Sequence, residues 1–573
     1  MRSIRRRIEL AACALALAGC DAKLPAPILA SSGEHAEPKH GGTLTLATYG
    51  DLRSLDPANV GDGLAPDLLE NMFAGLVDYD FDGKIIPVLA EKWSVEDGGK
   101  AYRFTLHQGV RMQDGEELTA DDVRRSVERA LHPTTPNAYA SYYETLLGYD
   151  AYRNKKTEHL AGVEATGRYE VLFRLKDSDA TFLPVLAMFV LRPTCKSAGE
   201  RFVDQWRPCG AGAFKLAEWD HGRSVTLVRH DGYFRPGLPR LDGMKYLFHV
   251  NQLPQTFKFV NGELDIIREF LSPDILRFQS DPRWRPFGVY EPEKQIVGEA
   301  MNVEMKPFDN VEIRRAIAAA VDREALAMVR ASNLRAANQF VPRDVFGYDP
   351  NLRGQQYDYQ AALEHMKKAG YPYDPATKTG GYPDPIPYYV PKQGLQEYMG
   401  QVLKQQLEKI GIRIEMRLVN YPAFIAIRGR RNQAPFGSGF WQQDYPDAGS
   451  FLEPLFHSKS INDEDSNNWS FYKNPRVDAL LDDARRELDP PKRMKLYTEA
   501  QTILCDDAPW AIDVFYHWYS QTQGYVRDWR PHPMYLHQVS ETWIDRPPKH
   551  DARAALFPQD PRDLAAALLG RRR

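Results

Sequence analysis

From residue 43 to beyond residue 500, short runs of β-formers alternate with amphipathic helical stretches, and no segment repeats. That alternation is the strongest constraint on the fold. Strands and helices taken in turn over hundreds of residues bury their apolar faces as mixed α/β layers. "TLTLAT" (43–48), "YRFTL" (102–106), "SVTLVRH" (224–230) and "IRIEMRLV" (412–419) read as strands. "TADDVRRSVERALHP" reads as a helix that Thr119 caps and Pro133 stops, with Asp121 and Asp122 in the first turn and a Val123, Val127, Leu131 stripe. "FDNVEIRRAIAAAVDREALAMVR" (308–330) reads as one longer helix with an Ile313, Ile317, Ala320, Val321 face. "YDYQAALEHMKKAGYP" ends in the stop signal Gly370, Tyr371, Pro372, and "GLQEYMGQVLKQQLEKIGIRIEMRLV" passes from helix through Gly411 into a strand. A chain of 573 residues has room for roughly three or four domain-sized units.

Composition narrows the function. The chain is 43% hydrophobic and 26% charged with a net charge of -4, which is ordinary globular usage and offers no basic face for nucleic acid. There is no G-x-S-x-G, H-E-x-x-H or G-x-x-x-x-G-K-[ST] string. The 14 histidines are scattered, and His221 and His230, nine apart, match no ligand spacing. "FGSGF" (436–440) reads as a tight turn. The expectation is a protein that is not an enzyme, without cofactor or metal.

The first twenty residues are of a different kind. Arg2, Arg5, Arg6 and Arg7 precede the apolar "LAACALALAG", about half the ~20 residues a membrane-spanning helix needs, so the segment reads as a secretory signal. Leu17-Ala18-Gly19-Cys20 resembles the bacterial lipobox, which implies lipid on Cys20 and membrane attachment through it; Asp21 resembles the signal that keeps such lipoproteins on the inner membrane. Residues 21–40, rich in Pro, Ala and Ser, read as a flexible tether. The body is then expected in the periplasm, anchored to the inner membrane, where disulfides are permitted. Cys13 leaves with the signal. Cys195 and Cys209 flank a loop-like stretch and are the expected pair, and Cys505, in a helical stretch, is an expected buried free thiol. After residue 545 the sequence reads as a disordered tail, or as a basic helix ending in three arginines that touches membrane or partner.

Longer strings carry a resemblance. "SLDPANVGDGLAPDLLENMFAGLVDYDFDGKIIPVLAEKWSVEDGGKAYRFTLHQGVRMQDGEELTADDVRRSVERALHP", "GAGAFKLAEWDHGRSVTLVRHDGYF" (210–234), "FVNGELDII" (259–267) and "MNVEMKPFDNVEIRRAIAAAVDRE" (301–324) are followed by "AALEHMKKAGYP" (361–372), "WQQDYPDAGSFLEPLF" (441–456) and "NPRVDALLDDARRELDPPKRMKLYTEAQTIL" (474–504). In this order, over about residues 41–545, they resemble the peptide/oligopeptide-type extracellular solute-binding proteins of ABC importers. The resemblance implies an α/β, two-lobe periplasmic-binding-protein-like fold with a hinge and an extra domain on lobe I. It places lobe I at 41–73, 205–295 and 516–545, the extra domain at 74–204 and lobe II at 296–515. It implies closure of the lobes on a peptide, delivery to ABC transporter permease subunits, and a monomer. The fold does not fix the ligand. The alternative reading is the same fold binding a non-peptide solute, since relatives take metal chelates, haem, sugars or opines, or acting as a sensor without transport.

Site residues follow from the same resemblance. Asp444 matches the family position that holds a peptide ammonium, with Trp441 in the same loop and Gly437 and Gly439 allowing close backbone approach; a plainer reading has Asp444 capping a turn before Pro446 and Trp441 in the core. Tyr139 of "NAYASYYETLL", Tyr516 of "AIDVFYHWYS" and Gly63 of "VGDGL" (60–64) are the other expected contacts. The chain also departs from the pattern. Gln442 stands where some members carry a cysteine, Ser438 stands near a missing arginine, and "VNYPAF" replaces a W-x-x-F element. Arg428, Arg430 and Arg431 of "RGRR" read as a solvated basic turn, or else as a substitute for that arginine.

Overall fold

The structure is a computed structural model that describes residues 24–33, 36–60, 64–204, 206–329, 333–392, 394–535 and 538–547. Cys20, Asp21, Gly63 and residues 548–573 lie outside the described residues.

Lobe I is built on a four-stranded sheet in which Thr43–Ala47 runs parallel to Gly243–Leu247, followed by the antiparallel strands Ser224–Arg229 and Phe214–Asp220. A smaller sheet orders Ile266–Ile267, Tyr519–Thr522 and Gly288–Tyr290. The extra domain carries the antiparallel sheet Ala90–Glu96, Ala101–Leu106, Glu170–Arg174, Val163–Gly167. Helix Ala120–Leu131 packs against it, and Thr119 and Asp122 form a reciprocal capping box at its start. Lobe I and the extra domain share one apolar core, in which Leu44 and Leu227 join Phe104 and Phe173. Neither part can be cut away without exposing that surface to water.

Lobe II is organised by a six-stranded mixed sheet in the order Leu334–Ala336, Trp510–Tyr516, Gln295–Met301, Phe436–Gln442, Ile386–Pro391, Ile414–Val419. Both faces are covered. Val297, Ile317, Tyr388 and Leu403 belong to the core on one side, and Ile296, Ala300, Phe451 and Trp510 to the core on the other. Adjacent Ile296 and Val297 enter opposite cores because successive strand residues point to opposite faces. The chain crosses between lobes twice. Tyr290 ends a lobe I strand and Gln295 begins a lobe II strand; Tyr516 ends a lobe II strand and Tyr519 begins a lobe I strand.

Several local expectations change. The 308–330 stretch is two helices, Val311–Ala320 and Arg323–Met328. The Asp322 carboxylate accepts from the Ala325 amide at 3.1 Å and starts a new helix where the apolar periodicity suggested continuation. Gly411 has φ +79°, the left-handed conformation that lets the chain turn from helix Gly394–Glu408 into its strand. Residues 24–33 are not a loose tether. Leu24 is buried beside Phe259 and Trp284, the Trp284 indole donates to the Pro25 carbonyl at 2.7 Å, and the Ile28 amide donates to Gln523 Oε1 at 3.0 Å. The aliphatic residues among those prolines found an apolar surface, which the composition did not anticipate. Cys195 and Cys209 are joined in a disulfide with a Cα–Cα distance of 5.4 Å. Cys505 is a free thiol, partly buried, and burial pushes it up to about 12. No helix among the described residues is long and apolar enough to cross a membrane.

Candidate functional site

The strand Phe436–Gln442 delivers the candidate site. It lies inside the lobe II sheet and ends at the cleft, where Gln443 and Asp444 emerge before Pro446 and helix Gly449–Phe456. The Asp444 amide donates to Ser450 Oγ at 2.7 Å, which fixes the loop on the helix start. The Asp444 carboxylate does not cap that turn. Asp447 does so, accepting from the Gly449 amide at 2.9 Å. Instead, the Tyr142 hydroxyl of the extra domain donates to Asp444 across the cleft. Among the described residues no cation pairs with Asp444. Burial pushes its carboxyl up to about 6, and only the Tyr142 hydrogen bond acts in the other direction.

Asp444 lines a cavity of about 790 Å³ between the lobes, a size suited to a small ligand. Lobe I contributes Thr48, Tyr49 and Asp67, the extra domain Tyr139 and Phe189, and lobe II Tyr421 and Gln442. The two crossovers contribute Lys294 and Trp518, with Arg268 beside them. Arg268 is occupied. It donates to both oxygens of Glu291, at 2.8 and 3.0 Å, and lies 3.8 Å from the centre of the Trp518 ring. Burial alone would raise the Glu291 carboxyl, but Arg268 and Lys294 outweigh it and hold it below its usual range.

The expected site residues separate here. Asp444 and Tyr139 line the cavity, and Tyr139 stacks on Tyr142 with centroids 6.3 Å apart. Trp441 does not line it: its indole donates to the Ser450 carbonyl at 2.7 Å and its ring packs on the lobe II core. Tyr516 is likewise in the lobe II core, 5% exposed; Trp518, two residues on and past the sheet edge, is the aromatic that reaches the cavity. Gly63 lies outside the described residues, while Val60 and Leu64 on either side line the cavity. Gly437 and Gly439 serve packing, since a Cβ there would come within 2.6 Å of the Tyr389 carbonyl and of the Trp510 ring respectively. Arg428 is no part of a solvated turn. It is 1% exposed and donates to the Ala300 carbonyl at 3.1 Å, whereas Arg430 and Arg431 pair with Glu464 and Glu304.

Sequence reasoning missed Tyr142, Lys294 and Tyr421. Tyr142 stands three residues after Tyr139, within a single turn of 3-10 helix that Tyr139 precedes, so the spacing held a signal. Tyr421 begins the "YPAF" helix and is 40% exposed at the cavity. Lys294 carried no signal, because nothing local marks a lysine on a crossover.

The family model described as bacterial extracellular solute-binding proteins, family 5 Middle, matches residues 84–463. The chain belongs to this family. Its curated relatives include the glutathione-binding protein GsiB of Salmonella typhi, 27% identical over 475 residues, which span 82% of this chain and 88% of that protein. Among solved structures, the ABC transporter-associated periplasmic binding protein DppA from Helicobacter pylori, in complex with peptide STSA, aligns with a TM-score of 0.72 at 23% identity, over 88% of this chain and 99% of that one. Clavulanic acid biosynthesis oligopeptide binding protein 2 aligns with a TM-score of 0.79 at 22% identity, over 91% and 99%. The two-lobe α/β fold of this family-5 protein is therefore that of periplasmic binding proteins, and its curated relatives are named for binding rather than catalysis.

Proposed function

We propose that this family-5 protein is a receptor that closes two lobes on a short peptide outside the cytoplasm and hands it to the permease of an ABC importer. The observation that carries this reading is Asp444, a carboxylate facing the interlobe cavity with a tyrosine hydroxyl beside it and, among the described residues, no cation paired with it. A peptide ammonium supplies the missing charge, and a fixed carboxylate is what a buried ammonium requires. Tyr139, Phe189, Tyr421 and Trp518 give side chains an apolar wall. Glutathione, for which the relative GsiB is named, is a small zwitterionic peptide and is compatible with the same carboxylate.

The remaining assignments follow from this reading. Lobe I takes 41–73, 205–290 and 519–545, the extra domain 74–204 and lobe II 295–516, with residues 291–294 and 517–518 as the hinge. The protein acts as a monomer, held at the inner membrane by lipid on Cys20 and with residues 24–33 docked on lobe I. The test is mass spectrometry of small molecules released from the purified protein by denaturation. A zwitterionic peptide is expected; a metal chelate, haem, sugar or opine overturns the peptide reading.

A further inference from the structure

A helix on the surface of a protein turns polar side chains to water. Helix Gln252–Val260 of lobe I does not. It buries Gln255 and Thr256, at 0% and 5% exposure, and turns Leu253 and Phe257 outward at 50% and 59%. Hydrogen bonds hold the polar residues inside: Gln255 Nε2 donates to the Val250 carbonyl at 2.7 Å and to Glu269 Oε2 at 2.6 Å. Leu253 and Phe257, four positions apart, share one helix face. Helix Ser272–Ser280 repeats the pattern, with Asp274 buried and Leu276 52% exposed. The two helices lie together. Thr256 Oγ1 donates to Asp274 Oδ2 at 3.1 Å, and the Phe259 and Phe278 rings meet with centroids 5.7 Å apart. Single exposed apolar residues are ordinary, whereas a group of them on adjoining helices marks a contact surface.

The course of the N-terminal segment says what covers this surface. Leu24 is buried in the core of these same helices, beside Phe259, Phe278 and Trp284, and Arg283 donates to its carbonyl at 2.6 Å. Cys20 stands four positions before Leu24, so a lipid on Cys20 keeps Leu24 within roughly 14 Å of a bilayer. No folded unit fits into so short a span. Arg285, exposed and without a side-chain partner among the described residues, adds a cation next to Trp284 for anionic headgroups. Resting on the reading of Cys20 as a lipid anchor, we propose that the outer faces of helices Gln252–Val260 and Ser272–Ser280, with Leu253, Phe257 and Leu276, form a membrane-contact surface that seats lobe I in the headgroup boundary of a phospholipid bilayer. Stable attachment takes two signals, and an apolar face beside an acyl anchor is a second one. An anchor alone sets distance, and the face sets orientation. The same helix touches the ligand cavity, since Glu269, which Gln255 holds, lines it. Lobe I is thereby fixed to the bilayer while lobe II stays free to move.

The test uses the full chain in a Cys505→Ser background, mixed with vesicles of phosphatidylethanolamine and phosphatidylglycerol. A nitrobenzoxadiazole label is placed at Phe257→Cys, at Leu276→Cys or, as control, at Tyr398→Cys, 66% exposed on lobe II. Vesicles should shift the emission of the labels at 257 and 276 to the blue, shield them from aqueous iodide and let nitroxide-bearing lipids quench them. The label at 398 should show none of these changes. Equal quenching at 257 and 398, or iodide access at 257 that vesicles leave unchanged, overturns the surface. So does a blue shift at 257 that grows with protein concentration in the absence of vesicles, which assigns the face to a second copy of the chain. Mass spectrometry of the same preparation reports acylation of Cys20. If Cys20 carries no lipid, the anchor reading falls, and the labels with excess vesicles decide the surface by themselves: lipid quenching at 257 upholds it, and its absence overturns it.

Discussion

Replacing Asp444 by Asn removes the charge and keeps the shape and the hydrogen bond from Tyr142. Two consequences with opposite signs follow. In the ligand-free protein the Asp444 carboxyl is pushed up to about 6 by burial. A carboxyl raised in this way stabilises the folded state least when it is ionised, so stability is lost as pH rises from the usual carboxylate range through about 6. At about 1.4 kcal/mol per pH step the ionised form costs roughly 3 kcal/mol at neutral pH. Asn mimics the protonated form, so the ligand-free variant should melt at or above wild type at pH 7.5, show about half that gain at pH 5 and none near pH 3. Binding should move the other way. A ligand ammonium loses its counter-ion, and truncating one partner of a buried charge pair costs about 2–5 kcal/mol, or roughly 30- to several-thousand-fold in affinity. Calorimetry on wild type and variant, each with a free-amine peptide and its N-acetylated form, separates this from general damage. Acetylation should weaken binding to wild type strongly and to the variant little, a non-additivity that a merely destabilised protein cannot produce. Wild-type affinity for the free amine should also fall by up to about tenfold per pH unit below 6, as protonation of Asp444 competes with the ligand. Equal binding of free and acetylated peptide by wild type, or flat affinity between pH 5 and 7, would refute the pairing of Asp444 with an ammonium.

Saturating ligand should compact the protein in solution scattering and raise its melting temperature, with about 2.7 kcal/mol of added stability at 100 times the dissociation constant; an unchanged scattering curve would argue against lobe closure. Arg485 of lobe II pairs with Asp179 of the extra domain and with Glu453, each at 3.2 Å, while its carbonyl accepts from the Ala180 amide at 2.7 Å. Arg485→Ala should therefore weaken the closed arrangement, seen as a larger radius of gyration without ligand and a lower ligand affinity. Cys20→Ala should release the protein from the membrane fraction, and retention as tight as wild type would remove the lipid anchor from the proposal.

Helix and strand placement was largely legible in the sequence because it depends on neighbours a few residues apart. The Thr119 capping box, the Gly411 turn and the strands at 43–47 and 414–419 all rest on such local signals. The helix break at Asp322 was also encoded locally, in a side chain that competes for a backbone amide, and a strong apolar period concealed it. The site was legible only where a quoted motif carried it. Asp444 and Tyr139 reach the cavity, whereas Trp441 and Tyr516 sit on strands whose alternation turns them into the lobe II core.

The sequence by itself determined the α/β class and the likeness to a solute-binding family, and it singled out the carboxylate at the end of the Phe436–Gln442 strand. It also pointed to Cys195 and Cys209, which close the disulfide. Only the tertiary structure decided which groups face Asp444. Tyr142 is 302 residues away along the chain, and Lys294 reaches the same cavity from a crossover. Tertiary structure also turned a proline-rich leader into a docked segment at Leu24 and Ile28, and a basic string into a buried Arg428. The physical reason is the same in each case. Burial and electrostatics depend on distance through space, and a chain that crosses between its lobes twice brings together residues whose local sequences carry no record of one another.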